Sequence, residues 1–345
     1  MANKASWLTA AQARPLKVDD APMPQPSADE VVVRNHAVAI NPVDWAIQAA
    51  GMLPLPYPHI GGCDTAGEIE AVGSSVKNLK VGDRVVATLD PYGGGDGPDS
   101  RRGAFQLFSL AREAGTTKIP DNISYSEAAV LPLAVSTSAS ALFQNDTLGL
   151  QLSTSGGNRG KVVLIWGGAT SLGACAIQLV SAAGYDVATT SSTRNFDSMK
   201  SLGAKYVFDH AKANVVDDII AELKHLDFGG VYCVVLVPEA IKQCAEIASK
   251  LDGRKLVSTV LAPVMPLADD LPSDVRYTKV YGTSLLDNEV GPAVWGKMVP
   301  EGLASGTFKC VPPPLVVGQG LEAIQGALDR WREGVSYQKV VVELP

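Results

Sequence analysis

The chain has 345 residues, 46% of them hydrophobic and 19% charged, which is enough apolar material for two cores. Lysine and arginine total 29 against 36 acids, a formal charge of −7 with no block of like charges, which argues against a nucleic-acid or anionic-membrane surface. No apolar run approaches the ~18 residues of a membrane span, and the first residues lack the apolar core of a secretory signal, so a cytoplasmic location is expected.

Residues 1–125 read as β-rich. Valine-rich runs at Glu30–Ile40 and Asp83–Leu89, with hairpin material at Gly67–Val76, are separated by Asn41-Pro42, by Pro54, Pro56 and Pro58, and by Gly61-Gly62. Short strands at this spacing predict a small barrel or sandwich. The glycine-rich segment Pro91–Gly103 is expected to be an exposed loop.

From Ser126 the pattern turns helical, with an apolar run Ser126–Leu142 and then a polar connection, Leu152–Gly160. Strand patterns follow at Val162–Trp166, Asp186–Thr190, Lys205–Phe208, Val231–Val237, Lys255–Val260 and Lys279–Thr283. Helical patterns separate the first five, at Ser171–Ala183, Phe196–Leu202, Val215–Leu223 and Glu239–Lys250. This alternation predicts a doubly wound parallel sheet. A helix at Gly320–Glu333 and a strand at Gln338–Leu344 close the chain.

The stretch Lys161–Arg194 carries the chemistry. Its turn keeps two glycines of the dinucleotide fingerprint, Gly168 and Gly173, but has Thr170 at the middle position. Thr170 and Ser171 offer hydroxyls to a phosphate, and the helix start adds its dipole. Ala169-x-Ser171-x-Gly173 also approximates a nucleophile elbow, but a hydrolase needs a late histidine. The four histidines are His36, His59, His210 and His225, so that order is unfavourable. A short-chain reductase is disfavoured because no Tyr-x-x-x-Lys occurs. NAD-binding units place an acid about 20 residues on, at the end of the second strand. Here that place holds Ser192, Thr193, Arg194 and Asn195, hydroxyls and a guanidinium suited to a 2′-phosphate. NADPH is the expected cofactor. The five cysteines, Cys63, Cys175, Cys233, Cys244 and Cys310, are scattered and lack any C-x-x-C, which fits reduced thiols and no structural zinc.

Several further motifs make the resemblance specific: Asn41-Pro42-Val43-Asp44-Trp45, Gly62-Cys63-Asp64-Thr65-Ala66-Gly67, Val81-Gly82-Asp83-Arg84-Val85 and Leu131-Pro132-Leu133-Ala134 with Thr137. With Ser192–Asp197, Leu202-Gly203-Ala204 and Val207-Phe208-Asp209, they resemble the zinc-free branch of the medium-chain dehydrogenase/reductase superfamily, and within it the fungal trans-acting enoyl reductases that partner polyketide synthases. The resemblance implies a GroES-like catalytic domain (1–125 and 306–345), a Rossmann domain (126–305) of strand order 3-2-1-4-5-6, and a monomer or homodimer. It places Val43, Asp44, Trp45, Ala46 and Thr137 by the nicotinamide half, and Ala169, Thr170, Ser171 and Leu172 on the pyrophosphate. Ser192 to Asn195 fall on the 2′-phosphate, Val260 and Leu261 near the adenosine, and Lys339 and Val340 over the cofactor. Val280, Tyr281, Gly282, Thr283 and Ser284 would line the substrate side. Two departures stand out: Ala46 where many relatives have lysine, and His210 where many have tyrosine. A histidine there can touch a 2′-phosphate or stand as an exposed loop residue. Cys63 and Asp64 alone make a poor tetrahedral site, so no metal is expected.

The activity implied is hydride transfer to the β-carbon of an activated double bond, with Thr137, backbone amides or the cofactor ribose hydroxyl as donors to the carbonyl oxygen and Tyr57, Tyr281 or water as the proton source. Three readings follow from the resemblance: reduction of an enoyl thioester, reduction of a quinone or free enone in a more compact slot, and NADP binding without turnover.

Overall fold

In a computed structural model of the chain, residues 2–93, 97–152, 160–261 and 265–345 are described. The expected polar connection at 152–160 lies almost wholly outside them. Two units separate: 1–133 with 291–345, and 134–290.

The first unit is built on a seven-stranded sheet whose central member is Glu30–Ala39. This strand pairs antiparallel with Asp64–Val72, Phe108–Arg112 and Lys339–Glu343. With neighbours along its whole length, it buries Val31–Val33 and Ala37–Ala39 on either side of the polar stretch Arg34 to His36. Its core gathers Val31, Val33, Val38, Ile69, Val85, Phe105, Ile324 and Val340. Arg84–Thr88 and Thr116–Lys118 extend the sheet on one side, and Pro314–Gln319 on the other. A separate three-stranded sheet joins Lys4–Leu8, Lys17–Asp20 and His59–Ile60.

The segments 126–133 and 291–305, expected with the second unit, fall in the first. Tyr125 stacks on His36 with ring centroids 4.8 Å apart, and Ser126 Oγ donates to Glu343 at 2.8 Å. Segment 294–305 packs on Thr116–Lys118 and brings in the fully buried Trp295. The run 125–143 does have the length and apolarity of a membrane span, contrary to the sequence reading. It is 89% buried within the protein, as a core helix is, and is broken between Ala128 and Pro132.

The second unit carries six parallel strands: Lys161–Trp166, Asp186–Ser191, Ala204–Asp209, Asp227–Cys233, Leu256–Thr259 and Arg276–Lys279. Numbered in that sequence their spatial order is 3-2-1-4-5-6, as expected. Two strands are shifted from the sequence reading. The fourth ends at Cys233, and the apolar Leu236 and Val237 beyond it are 42% and 54% exposed. The sixth is the polar edge segment 276–279 rather than the more apolar 279–283. Helices Ser171–Ala182, Val215–Leu223 and Pro238–Lys250 cover the sheet with their apolar faces.

Candidate cofactor turn and buried polar network

In the second unit, Lys161–Trp166 ends in a turn that its glycines make possible. Gly167 has φ +101°, and a Cβ there would lie 2.8 Å from methyls of both Val234 and Val235. A Cβ on Gly168 would lie 2.3 Å from Thr189 Oγ1, and one on Gly173 2.3 Å from the Gly167 carbonyl oxygen. Gly173 is therefore what lets the helix start sit against the strand end. Thr170 is the N-cap: its hydroxyl accepts from Gly173 N at 3.0 Å and donates to Gly167 O at 2.9 Å. The threonine that breaks the glycine fingerprint thus closes the turn itself. Ser171 and Leu172 supply first-turn amides that have no intrahelical acceptor, the arrangement that receives a phosphate.

The neighbouring strand is fastened to this turn. Thr190 accepts from Gly167 N through its hydroxyl at 3.0 Å and from Gly168 N through its carbonyl at 2.9 Å. Just beyond it, Ser192 Oγ lies 3.2 Å from His210 Nε2, and His210 N donates to Ser191 O at 3.3 Å. Thr193–Asn195 form a single turn, with Thr193, Arg194 and His210 exposed and Ser192 and Asn195 half-buried. Parallel pairing of Ser191 with Asp209 is what brings His210 to this end.

Elsewhere in this unit Leu261 is buried and Val260 half-buried, after the strand Leu256–Thr259. Val280 and Thr283 are buried, whereas Tyr281 and Gly282 are half-exposed. Ser284 donates to Gln144 Oε1 at 3.0 Å and to Tyr281 O at 2.8 Å, so its hydroxyl braces the segment. Thr137, 8% exposed, lies on the helix Pro132–Phe143.

The first unit holds a buried polar network around the helix Pro42–Ala50. Asn41, preceding it, is fixed because Ile40 N donates to Val340 O at 3.0 Å. Asp64 is fully buried and both its oxygens are engaged: Oδ1 accepts from Leu133 N at 2.7 Å, and Oδ2 from Asn41 Nδ2 at 2.9 Å and Lys339 Nζ at 3.0 Å. Lys339 Nζ also reaches Asn41 Oδ1 at 2.5 Å. Asp44 accepts from Asn41 N at 2.8 Å and from Tyr92 OH at 2.6 Å, while Tyr92 OH accepts from Gly62 N at 3.0 Å. Burial pushes the Asp44 carboxyl up to about 6, an effect its two donors only partly offset. Burial, with Asp44 and Asp64 nearby, also holds the Cys63 thiol well above its ordinary range, so it is protonated at neutral pH. His59 is buried with its Nδ1 3.1 Å from Ser100 Oγ.

Val43, Trp45 and Ala46 are half-buried on this helix, and Trp45 packs on Trp331 at 5.9 Å. Tyr57 joins an apolar group with Cys63, Tyr92, Val43 and Ile47. The Lys339 side chain is spent on Asp64 and Asn41, and Val340 is fully buried. Tyr92 was not singled out in the sequence, since a tyrosine in a glycine-rich segment carries no local signal. Among its described residues only Pro98 and Arg101 are exposed, and Pro91, Tyr92 and Gly103 are buried, so the segment is less exposed than expected. As zinc donors, Cys63 and Asp64 fit badly: one is a protonated thiol, and the other already carries an ammonium and two N–H donors. Among the described residues no three His, Cys, Asp or Glu side chains gather as a metal-ligating group.

A 3-2-1-4-5-6 parallel sheet with a glycine-cornered helix start, in a chain that also has a seven-stranded β unit, defines a two-domain nicotinamide-dependent oxidoreductase. The profile of the alcohol dehydrogenase GroES-like domain matches residues 27–134. Dehydrogenase azaJ of Aspergillus niger is 42% identical over 96% of both chains, and trans-enoyl reductase himH of Aspergillus japonicus 39% identical over 99% of this chain and 97% of its own. The CurK enoyl reductase structure superposes with a TM-score of 0.77 at 20% identity, covering 100% of both chains, which speaks for the fold. The chain belongs to the medium-chain dehydrogenase/reductase family, among relatives that include fungal trans-enoyl reductases.

Proposed function

We propose that the chain is a zinc-independent, NADPH-dependent enoyl reductase that acts in trans on an acyl thioester carried by a polyketide synthase. The observation that carries the cofactor choice is the end of the strand 186–191, where the sequence runs from Ser192 to Phe196 with no carboxylate before Asp197, and Ser192 Oγ meets His210 Nε2. Relatives named trans-enoyl reductase, at 39% and 34% identity, support the substrate class. The engaged oxygens of Asp64 support the absence of zinc.

In this reading the amides of Ser171 and Leu172 hold the pyrophosphate, with Ala169 and Thr170 shaping the turn. Ser192 to Asn195 hold the 2′-phosphate, and Val260 and Leu261 border the adenosine. Val43 to Ala46, Thr137, and the backbone of Lys339 and Val340 serve the nicotinamide half, while 280–284 serves the substrate. The bound dihydronicotinamide supplies the hydride that reaches the β-carbon. The protein's part is to orient the enoyl group, exclude water, and aim donors at the carbonyl oxygen as charge develops there, a role open to Thr137 and backbone amides. The α-carbon takes a proton from Tyr57, Tyr281 or water.

Following NADPH absorbance with an enoyl thioester, a quinone and a simple enone in parallel tests the reading. Oxidation should be fastest with the thioester. Faster oxidation with the quinone would move the assignment to a quinone reductase, the activity named for a structural neighbour from Pseudomonas syringae with a TM-score of 0.74. NADPH binding with no oxidation would leave a binding protein.

A further inference from the structure

We infer that His210 makes the choice between NADPH and NADH depend on pH, by carrying a proton into the 2′-phosphate subsite. The inference rests on the NADPH reading above and deepens it.

The geometry supplies the reason. His210 follows the strand Ala204–Asp209, and its backbone amide is held on Ser191 O at 3.3 Å. Its Nε2 lies 3.2 Å from Ser192 Oγ, so the ring and the hydroxyl present polar atoms at one place. Both belong to the strand ends that the parallel pairing aligns. The ring is exposed, so it exchanges protons with solvent. The surrounding elements carry charges of both signs. Arg194 on the turn 193–195 adds a fixed positive charge, and Asp197 and Lys200 on the helix Phe196–Ser201 oppose one another in sign. Asp209 Oδ1 accepts from Ala211 N at 3.0 Å, and Lys212 lies 3.9 Å from Asp218.

A neutral imidazole offers a phosphate at most one hydrogen bond; the protonated ring offers a donor with charge. Arg194 stays charged at every relevant pH, so it selects the phosphate without responding to pH. Histidine is the side chain that changes charge between about pH 5 and 8. A bound 2′-phosphate favours the protonated ring, and by linkage a lower pH favours the phosphate-bearing cofactor. NADH lacks that phosphate and cannot respond in this way.

The test uses the full chain without substrate. Dissociation constants for NADPH and NADH are measured from pH 6.5 to 8.5 for the wild type and for His210→Gln, whose amide keeps a hydrogen bond but does not titrate. As pH falls through this range, wild-type preference for NADPH should rise about threefold to tenfold more than that of the variant. In parallel, nitrogen-detected NMR of the wild-type ring should show its titration midpoint moving upward with NADPH and staying unmoved with NADH. Parallel preference curves, or the same midpoint with either cofactor, would overturn the role of His210. A wild type with no preference for NADPH at any pH would instead overturn the cofactor reading on which it rests.

Discussion

Asn41 and Lys339 stand 298 positions apart in the chain, yet the Lys339 ammonium lies 2.5 Å from the Asn41 amide oxygen and 3.0 Å from Asp64. This contact ties the last strand to the start of the helix that carries Val43–Ala46.

Because Lys339 and Asp64 are 5% and 0% exposed at their side chains, neither can find water if its partner is removed. Lys339→Met should therefore cost about 3–5 kcal/mol, read as a lower urea midpoint. Combining it with Asp64→Asn, which removes the stranded charge, should recover part of the loss. A single variant as stable as the wild type would show that the pair is not closed in solution.

Asp44 gives stability a specific pH dependence. Its folded-state pKa of about 6 lies above the ordinary 3.8, so the fold favours the protonated form. That contribution is fully present below about pH 4 and is lost as pH rises through about 6. Asp44→Asn does not titrate, so the wild type should lose about 2–3 kcal/mol relative to it between pH 4 and 7.5. Denaturation at several pH values checks this, and a difference that stays constant would contradict it.

What was legible in the sequence follows from which signals are local. The buried strand Lys161–Trp166, the helix Ser171–Ala182 and the helix Val215–Leu223 each declare themselves by an apolar period, and their positions agree with the sequence to within a residue. Lys4–Leu8, Lys17–Asp20 and Pro314–Gln319 were not singled out, being short and mixed in polarity, so that no apolar alternation marks them. The edge strand 276–279 is polar because one side of it has no neighbour, so its more apolar continuation drew the assignment instead. The residues of the site divide the same way. Gly168, Gly173 and Arg194 are readable from the turn they occupy. That Tyr92 meets Asp44, or that Lys339 is consumed by Asp64, depends on long-range pairing that no local pattern reports.

Arg194→Ala should weaken NADPH binding about tenfold to a hundredfold and leave NADH binding unchanged, because only the former carries a 2′-phosphate for the guanidinium. Fluorescence titration of both cofactors measures it. Equal, unaltered affinities in the variant would remove the reason for choosing NADPH.

The glycines of the turn can be separated from glycine as such. Gly173→Ala would place a Cβ 2.3 Å from Gly167 O and 2.7 Å from Gly168 Cα, both backbone atoms of the turn itself. Relief requires the helix start to move away from the strand, so stability should fall by about 2 kcal/mol or more. The same movement displaces the amides of Ser171 and Leu172, and cofactor affinity should fall with it. Gly326 lies in the helix Ala323–Arg332, exposed, with nothing within 4 Å of an added Cβ. There the identical substitution should stabilise by about 0.5–1 kcal/mol and leave cofactor binding untouched. Thermal unfolding and cofactor titration of the two variants side by side make the comparison. Should Gly173→Ala bind the cofactor as the wild type does, the close approach of helix and strand would not be what shapes this turn for a phosphate.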